Sequence, residues 1–576
     1  MGGGNCPDGV TVSFLSRKYC IGAQVNISSN GVLTYGTGGV RGTQLVNTAA
    51  LGDCVRATNA DRTWFDGISF TSTVTKAAGT AAVRFANCHD CGIGYNFRIY
   101  YHHYAIAVEA DGNQYICNIL GDDIGELTGD AVVLGENGRL VQGVFLTNTQ
   151  IHYCDGFGIA QYSTSDVQSL NVNIGGCKSA FFTYPDGLVK TGSTNSNDII
   201  DDLDTTFDLN VDMVVVGNDG TLANVVEIVS STSVRVSPEP TATASGVNFY
   251  FYNVVVAGRH VGLVLDTSDE DGGKFFTNGG MLVDQKLYNP RACANGHSDR
   301  GNPNFAGIKS KNGGPNNATK ARSLIQDIQL DTPTCQNNPG SGISVEEVSP
   351  GTVKHWGVNN PSIGQNSAAG SALKSGIDVG AGVSHWNVRG GHSGDARIVI
   401  GVLNLQACGI KVASGSSDYY NITEMDVTGN VSGGVADDGT GTHQNPFGNL
   451  GENENYFSRG VTLLKDTDSL LKICRYNASF PYSVIHIDNS DAFVLQEGGG
   501  VEFAQISKNG VVTLKAGGSV KIGSTQIAGV RATGWGAPTR TATKTTFDTA
   551  TVTTTQLAER VKALIDNLAT HGLIGI

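Results

Sequence analysis

Three charged side chains keep one spacing. Asp266, Lys311 and Glu346 each stand four residues after a glycine, at Gly262, Gly307 and Gly342. If those glycines mark equivalent points of a repeat, the three side chains form an acid–base–acid ladder whose carboxylates share general acid–base work. Glu270, within Asp269-Glu270-Asp271, adds an acid beside them. A second set gathers Asp122, Asp123 and Glu126, with His152 and Asp155 one repeat later. Crowded carboxylates raise one another's proton affinity, which a general acid requires. Both sets also have a structural reading. Opposite charges stacked across strands stabilise a sheet by ~0.2–1 kcal/mol per pair, and Asp forms turns by bonding its own backbone.

Aromatic pairs recur as well, at His355-Trp356, His385-Trp386 and Tyr419-Tyr420. Successive side chains of a strand point to opposite faces, so one member of each pair is expected outside. Trp356, Trp386 and Tyr419 or Tyr420 would then line up as a rigid, half-apolar platform, or else fill the interior as a stack. Other chemistries lack their signatures. Cys88-His89-Asp90-Cys91 has no partner pair at zinc-site spacing. No nucleophile elbow or phosphate-binding glycine loop is present, so no metal and no cofactor are expected.

Ladders of this kind need elements that stack. Short apolar runs begin at Ala82, Ala105, Ala131, Gly158 and Ala180, and again at Gly342, Gly376 and Gly409 as Gly-Ile-x-Val. A unit of this size cannot bury its own apolar face and must stack on its neighbours, which makes a solenoid. The units lack leucine-rich, propeller and helical-repeat signatures, leaving strand and turn in alternation. The chain holds 77 glycines and 14 prolines among 576 residues, with only 16% charged. That glycine content, roughly twice the usual ~7%, suits an all-β chain with many tight corners. A right-handed parallel β-helix is the expected fold.

Other segments break the pattern. Residues 191–253 read as a small inserted β module within a β-helix spanning 61–445, after an N-terminal cap or attachment region at 1–60. Short strands over 456–530 are too small to close a core alone and are expected to associate between chains. A segment over 531–576 ends in a helix whose Leu557, Val561, Leu564 and Leu568 form a heptad seam. The net charge of −14 argues against nucleic-acid partners. No apolar run approaches a membrane span or a signal-peptide core, so membrane insertion is not expected and the chain is read as made in a cytoplasm.

The ending Gly534-Trp535-Gly536-Ala537-Pro538, then Thr546-Phe547-Asp548-Thr549-Ala550-Thr551, then Gln556 to Asp566, resembles the terminal module of bacteriophage tail fibres. Together with the coils it resembles tailspike proteins with a pectin-lyase-like β-helix and a C-terminal trimerisation module. That resemblance implies an intertwined homotrimer on the virion tail, made in the host cytoplasm and docked through its N-terminus on a tail or capsid component. The Asp-Asp-Thr-like signature that opens many such β-helices is missing from Met1 to Gly67. The resemblance further implies binding of a bacterial surface polysaccharide, with hydrolysis or lyase chemistry in many members. Asp266 and Glu346, two coils or ~9.6 Å apart, would suit an inverting hydrolase. Lys311 and the aromatic pairs would hold the sugar. A non-enzymatic virion fibre and a free polysaccharide lyase are the competing classes.

Overall fold

The computed structural model describes residues 8–110, 114–313, 321–348, 352–368, 374–394, 406–415, 417–439 and 444–447, then short strands between 470 and 528 and residues 548–570. Two compact units divide the chain, residues 1–458 and 459–576.

The first unit is a parallel solenoid. Each turn of chain adds one strand to each of three faces, and every strand pairs in parallel with its counterparts one coil before and after. The ladders begin with Thr11–Phe14 on Leu33–Gly36. They therefore start well before residue 61, because these short alternating runs are already long enough to pair with the coil above.

In the later coils the first face carries Val254–Val261, Met281–Tyr288, Leu324–Asp331, Thr352–Asn359, Ser384–Arg389 and Asp418–Thr423. The second runs from Phe97–Tyr100 through the chain near Asp123, His152 and Gly175 to Val264–Asp266, Arg291–Cys293 and Thr334–Gln336. The third stacks Ala81–Ala86, Tyr104–Glu109 and Val132–Leu134, and later Gly273–Thr277, Ile308–Asn312, Ile343–Glu346 and Ile377–Val379.

The third face shows why the repeat is legible in the sequence. Val83, Ile106, Val132, Ile159 and Phe181 stack in one inward column, and Ile308, Ile343, Ile377 and Ile410 continue it. All are buried, so each branched side chain packs on those above and below. A small residue precedes each strand because the backbone turns a corner there. A Cβ on Gly272 would lie 2.6 Å from the Gly307 carbonyl oxygen, and one on Gly307 would lie 2.6 Å from that of Gly342.

A ladder of buried amides pins a second corner. Asn295 Nδ2 donates to Asn338 Oδ1 at 3.2 Å, Asn338 Nδ2 to Asn366 Oδ1 at 2.9 Å, and Gln406 Nε2 to Asn430 Oδ1 at 2.8 Å. Each of these amides satisfies part of its neighbour's hydrogen-bonding capacity, so polar groups are buried without loss.

Between Asn173–Thr183 and Val254–Val261 the chain leaves the coils to build a closed antiparallel barrel of six strands, from Gly187–Asn195 to Thr243–Tyr252. The barrel has its own core, including Ile200, Val215, Val234, Phe249 and Phe251. The second unit has an antiparallel sheet of five strands from Leu470–Ile473 to Val512–Leu514, a two-stranded hairpin, and the helix Thr554–Thr570. Among the described residues no helix is long and apolar enough to cross a membrane.

Candidate functional site

The strand register splits the expected acid–base–acid ladder. Lys311 pairs with Glu346, but the position before them in the column is Phe276. Asp266 lies on the second face, where its Oδ1 accepts from the Cys293 amide at 2.8 Å and its Oδ2 meets Arg291 at 2.9 Å. The physical cause is the origin glycine. Gly262 stands beside Asn171 at another corner, whereas the counterpart of Gly307 is Gly272.

Correct alignment assembles a different constellation around a cavity of about 300 Å³ on the third face. Tyr184, Phe276 and Phe305 supply apolar walls, while Asp271, Lys274, Lys309 and Lys311 supply charge. Glu346 lies against this charged edge, with Lys309 Nζ at 3.1 Å and Lys311 Nζ at 3.0 Å. Lys274 bonds Glu270 and stands 3.8 Å from Asp271, which accepts from the Ala306 amide at 2.6 Å.

The two carboxyls are driven apart in proton affinity. Burial pushes Asp271 up to about 6, and Lys309, Lys274 and the Ala306 amide only partly oppose it. Burial also acts upward on Glu346, but the ammoniums of Lys309 and Lys311 hold it below the usual carboxylate range. Two acids displaced in opposite directions are the arrangement that assigns a proton donor and an ionised partner. Of the pair only Glu346 was a sequence candidate. Asp271 stood there only as a neighbour of Glu270, and the glycine after it, Gly272, is the signal that would have placed it.

The second set comes together in part. Asp123 accepts from the Tyr100 hydroxyl, lies 3.2 Å from His152 Nε2, and is 4.0 Å from Arg98 Nε. Burial and the Asp123 carboxylate together raise the Tyr100 pKa. Glu126 bonds the Tyr101 hydroxyl, and Asp155 is exposed beyond Cys154. The side chain of Asp122 lies outside the described residues; its backbone pairs with Phe97 and Thr149.

The aromatic pairs face opposite to the expected platform. Trp356, Trp386 and Tyr420 are 1–2% exposed and lie in the core, where Trp386 and Tyr420 stack with ring centroids 4.5 Å apart. His355, His385 and Tyr419 face out instead, with His385 and Tyr419 stacked at 4.7 Å and His355 Nδ1 3.1 Å from Asp327 Oδ1. These three outer residues adopt φ of 53–54°. That left-handed step breaks the strand alternation, so Lys354 and His355 both point outward before Trp356 turns in.

In the second unit Leu557, Val561 and Leu564 are exposed on the helix and Leu568 is half-buried.

Neither a scan against protein-family models nor a search of curated proteins finds a match. Among solved structures, the chain is similar to the A-module of the Azotobacter vinelandii mannuronan C-5 epimerase AlgE6, with 11% identity and a TM-score of 0.41 over 77% of this chain and 90% of that one. It is also similar to the receptor-binding protein of bacteriophage Det7, a podoviral tailspike in a myovirus, with 10% identity and a TM-score of 0.40 over 90% and 87%. The bacteriophage CBA120 tailspike protein 3 gives 10% identity and a TM-score of 0.36 over 85% and 64%.

Proposed function

We propose that this chain is a homotrimeric virion spike that binds a bacterial surface polysaccharide and hydrolyses it at the Asp271–Glu346 cavity. The observation that carries the reading is the opposed pair of carboxyls beside an aromatic-walled cavity. Asp271 precedes Gly272 and Glu346 follows Gly342, so they belong to coils two steps apart, with Lys309 of the middle coil acting on Asp271 and lying 3.1 Å from Glu346.

In the proposed step, neutral Asp271 donates its proton to the glycosidic oxygen as the bond to the anomeric carbon breaks. Ionised Glu346 takes a proton from water as the water oxygen bonds that carbon. The ammoniums of Lys309 and Lys311 keep Glu346 ionised. Phe276 and Tyr184 offer ring faces to the sugar.

The test is release of reducing ends from host capsule or lipopolysaccharide. Asp271→Asn and Glu346→Gln are each expected to lower kcat by about 10³-fold or more while binding persists. Wild-type protein that binds a host glycan without shortening it would instead be an adhesive fibre, and unchanged turnover in both variants would remove the cavity from the mechanism.

A further inference from the structure

A second cluster of aromatic and charged side chains lies on another face of the solenoid, several coils before the cavity. Its floor is the pairing of Phe97–Tyr100 with the strands above, where Arg98 is in register with Asp123, and Tyr100 with Gly125 and then His152. Gly125 has no side chain, so the His152 ring lies against its backbone; a Cβ there would come within 2.7 Å of the ring. Tyr100 and His152 are thereby brought to a ring separation of 6.0 Å with Asp123 bonded to both.

Exposed tyrosines border this floor. Tyr95 stands on one side, against Gly121, and is 53% exposed. On the other side Tyr101 is 52% and Tyr153 69% exposed. Glu126 separates them in the same column, since Tyr100, Gly125 and His152 are consecutive partners. Two strand spacings therefore separate Tyr101 from Tyr153, about 9.6 Å. Both tyrosines hold a left-handed backbone, φ 61° and 54°. The same left-handed step is taken by Glu126 between them and recurs along the solenoid, and it leaves all three side chains exposed.

Resting on the reading that the ligand is a glycan, we propose that this surface is a separate polysaccharide-binding site for an uncharged sugar chain. In that site the chain runs along the solenoid axis and lays two of its rings, separated by one intervening unit, on Tyr101 and Tyr153. Aromatic faces suit the apolar side of a pyranose ring, and Asp123, Arg98 and His152 offer hydrogen bonds to hydroxyls at the floor. The uncharged class follows from electrostatics. Asp123 and Glu126 outweigh the single guanidinium of Arg98, and the whole chain carries −14, so a polyanion is repelled.

Affinity electrophoresis of the full-length protein in gels containing dextran, mannan or alginate tests this. Wild type is expected to be retarded by at least one neutral polymer and not by alginate. Tyr101→Asn and Tyr153→Asn keep the left-handed backbone accessible; each should weaken retardation about tenfold, the loss of one good contact, with no change in unfolding temperature. Retardation by none of the polymers, stronger retardation by alginate, or full retardation of both tyrosine variants overturns the proposal. Cleavage by those same tyrosine variants, or its absence in wild type, bears on the cavity alone.

Discussion

At the scale of single residues, environment rather than identity separates the acids of this chain. Under the proposed hydrolysis, Asp271, held at about 6 by burial, acts in its protonated form, so cleavage is expected to fall as pH rises through about 6, measured as initial rates on a fixed glycan. The same displacement is a stability statement. The folded carboxyl binds its proton more tightly than the unfolded one, near 3.9, so wild type loses stability relative to Asp271→Asn as pH rises from about 4 to 6, then keeps a constant deficit. Denaturant midpoints of the two proteins across that window check the sign. Arg84 is a contrasting case: it is buried, donates to Asp53 at 2.8 Å and also pairs with Glu109. Arg84→Ala removes the nearest cation from the buried Asp53, leaving it the Ala81 amide at 2.7 Å and Arg56 at 3.8 Å, and should cost about 3 kcal/mol in a denaturation measurement.

At the scale of elements, the aromatic pairs test which side of the strand is inside. Trp386→Ala empties a core position stacked on Tyr420 and is expected to cost about 3–5 kcal/mol. Among the described residues the indole N–H of Trp386 has no hydrogen-bond partner, so Trp386→Phe should cost much less. Tyr419→Ala, on the outer side of the same strand, should stay within about 0.5 kcal/mol. Thermal unfolding of the three variants distinguishes the two faces. Counting alternation from Ser384 could not settle this, because the left-handed residue at His385 resets the period and no neighbouring residue type announces it. The small residue at each coil corner was a safer guide: Ala82, Ala105 and Gly342 do share one column, since only small side chains clear the next carbonyl. Gly262 has the same residue type but belongs to a corner beside Asn171, and that coincidence misplaced Asp266.

At the scale of the whole molecule, the helix Thr554–Thr570 shows exposed Leu557, Val561 and Leu564, an apolar seam that a lone chain leaves in water. Under the trimer proposal, full-length protein should sediment at about 180 kDa, three copies of 60.1 kDa. Leu564→Asp or deletion of residues 553–576 should shift it toward one copy in analytical ultracentrifugation. A full-length protein already at 60.1 kDa would remove the trimer.

Residue order alone determined the stacking of coils, because burying one apolar strand per turn forces a repeat of small corner and branched residue that composition makes visible. The interruption of that repeat after Ala180 was equally readable as a separate β module. Which acids meet was decided only in three dimensions. Asp271 reaches Glu346 through Lys309, and Tyr101 reaches Tyr153 across Glu126, by register between coils. Register depends on how many residues each corner spends, and corners of unequal length erase sequence spacing while leaving the hydrogen-bonded ladder intact.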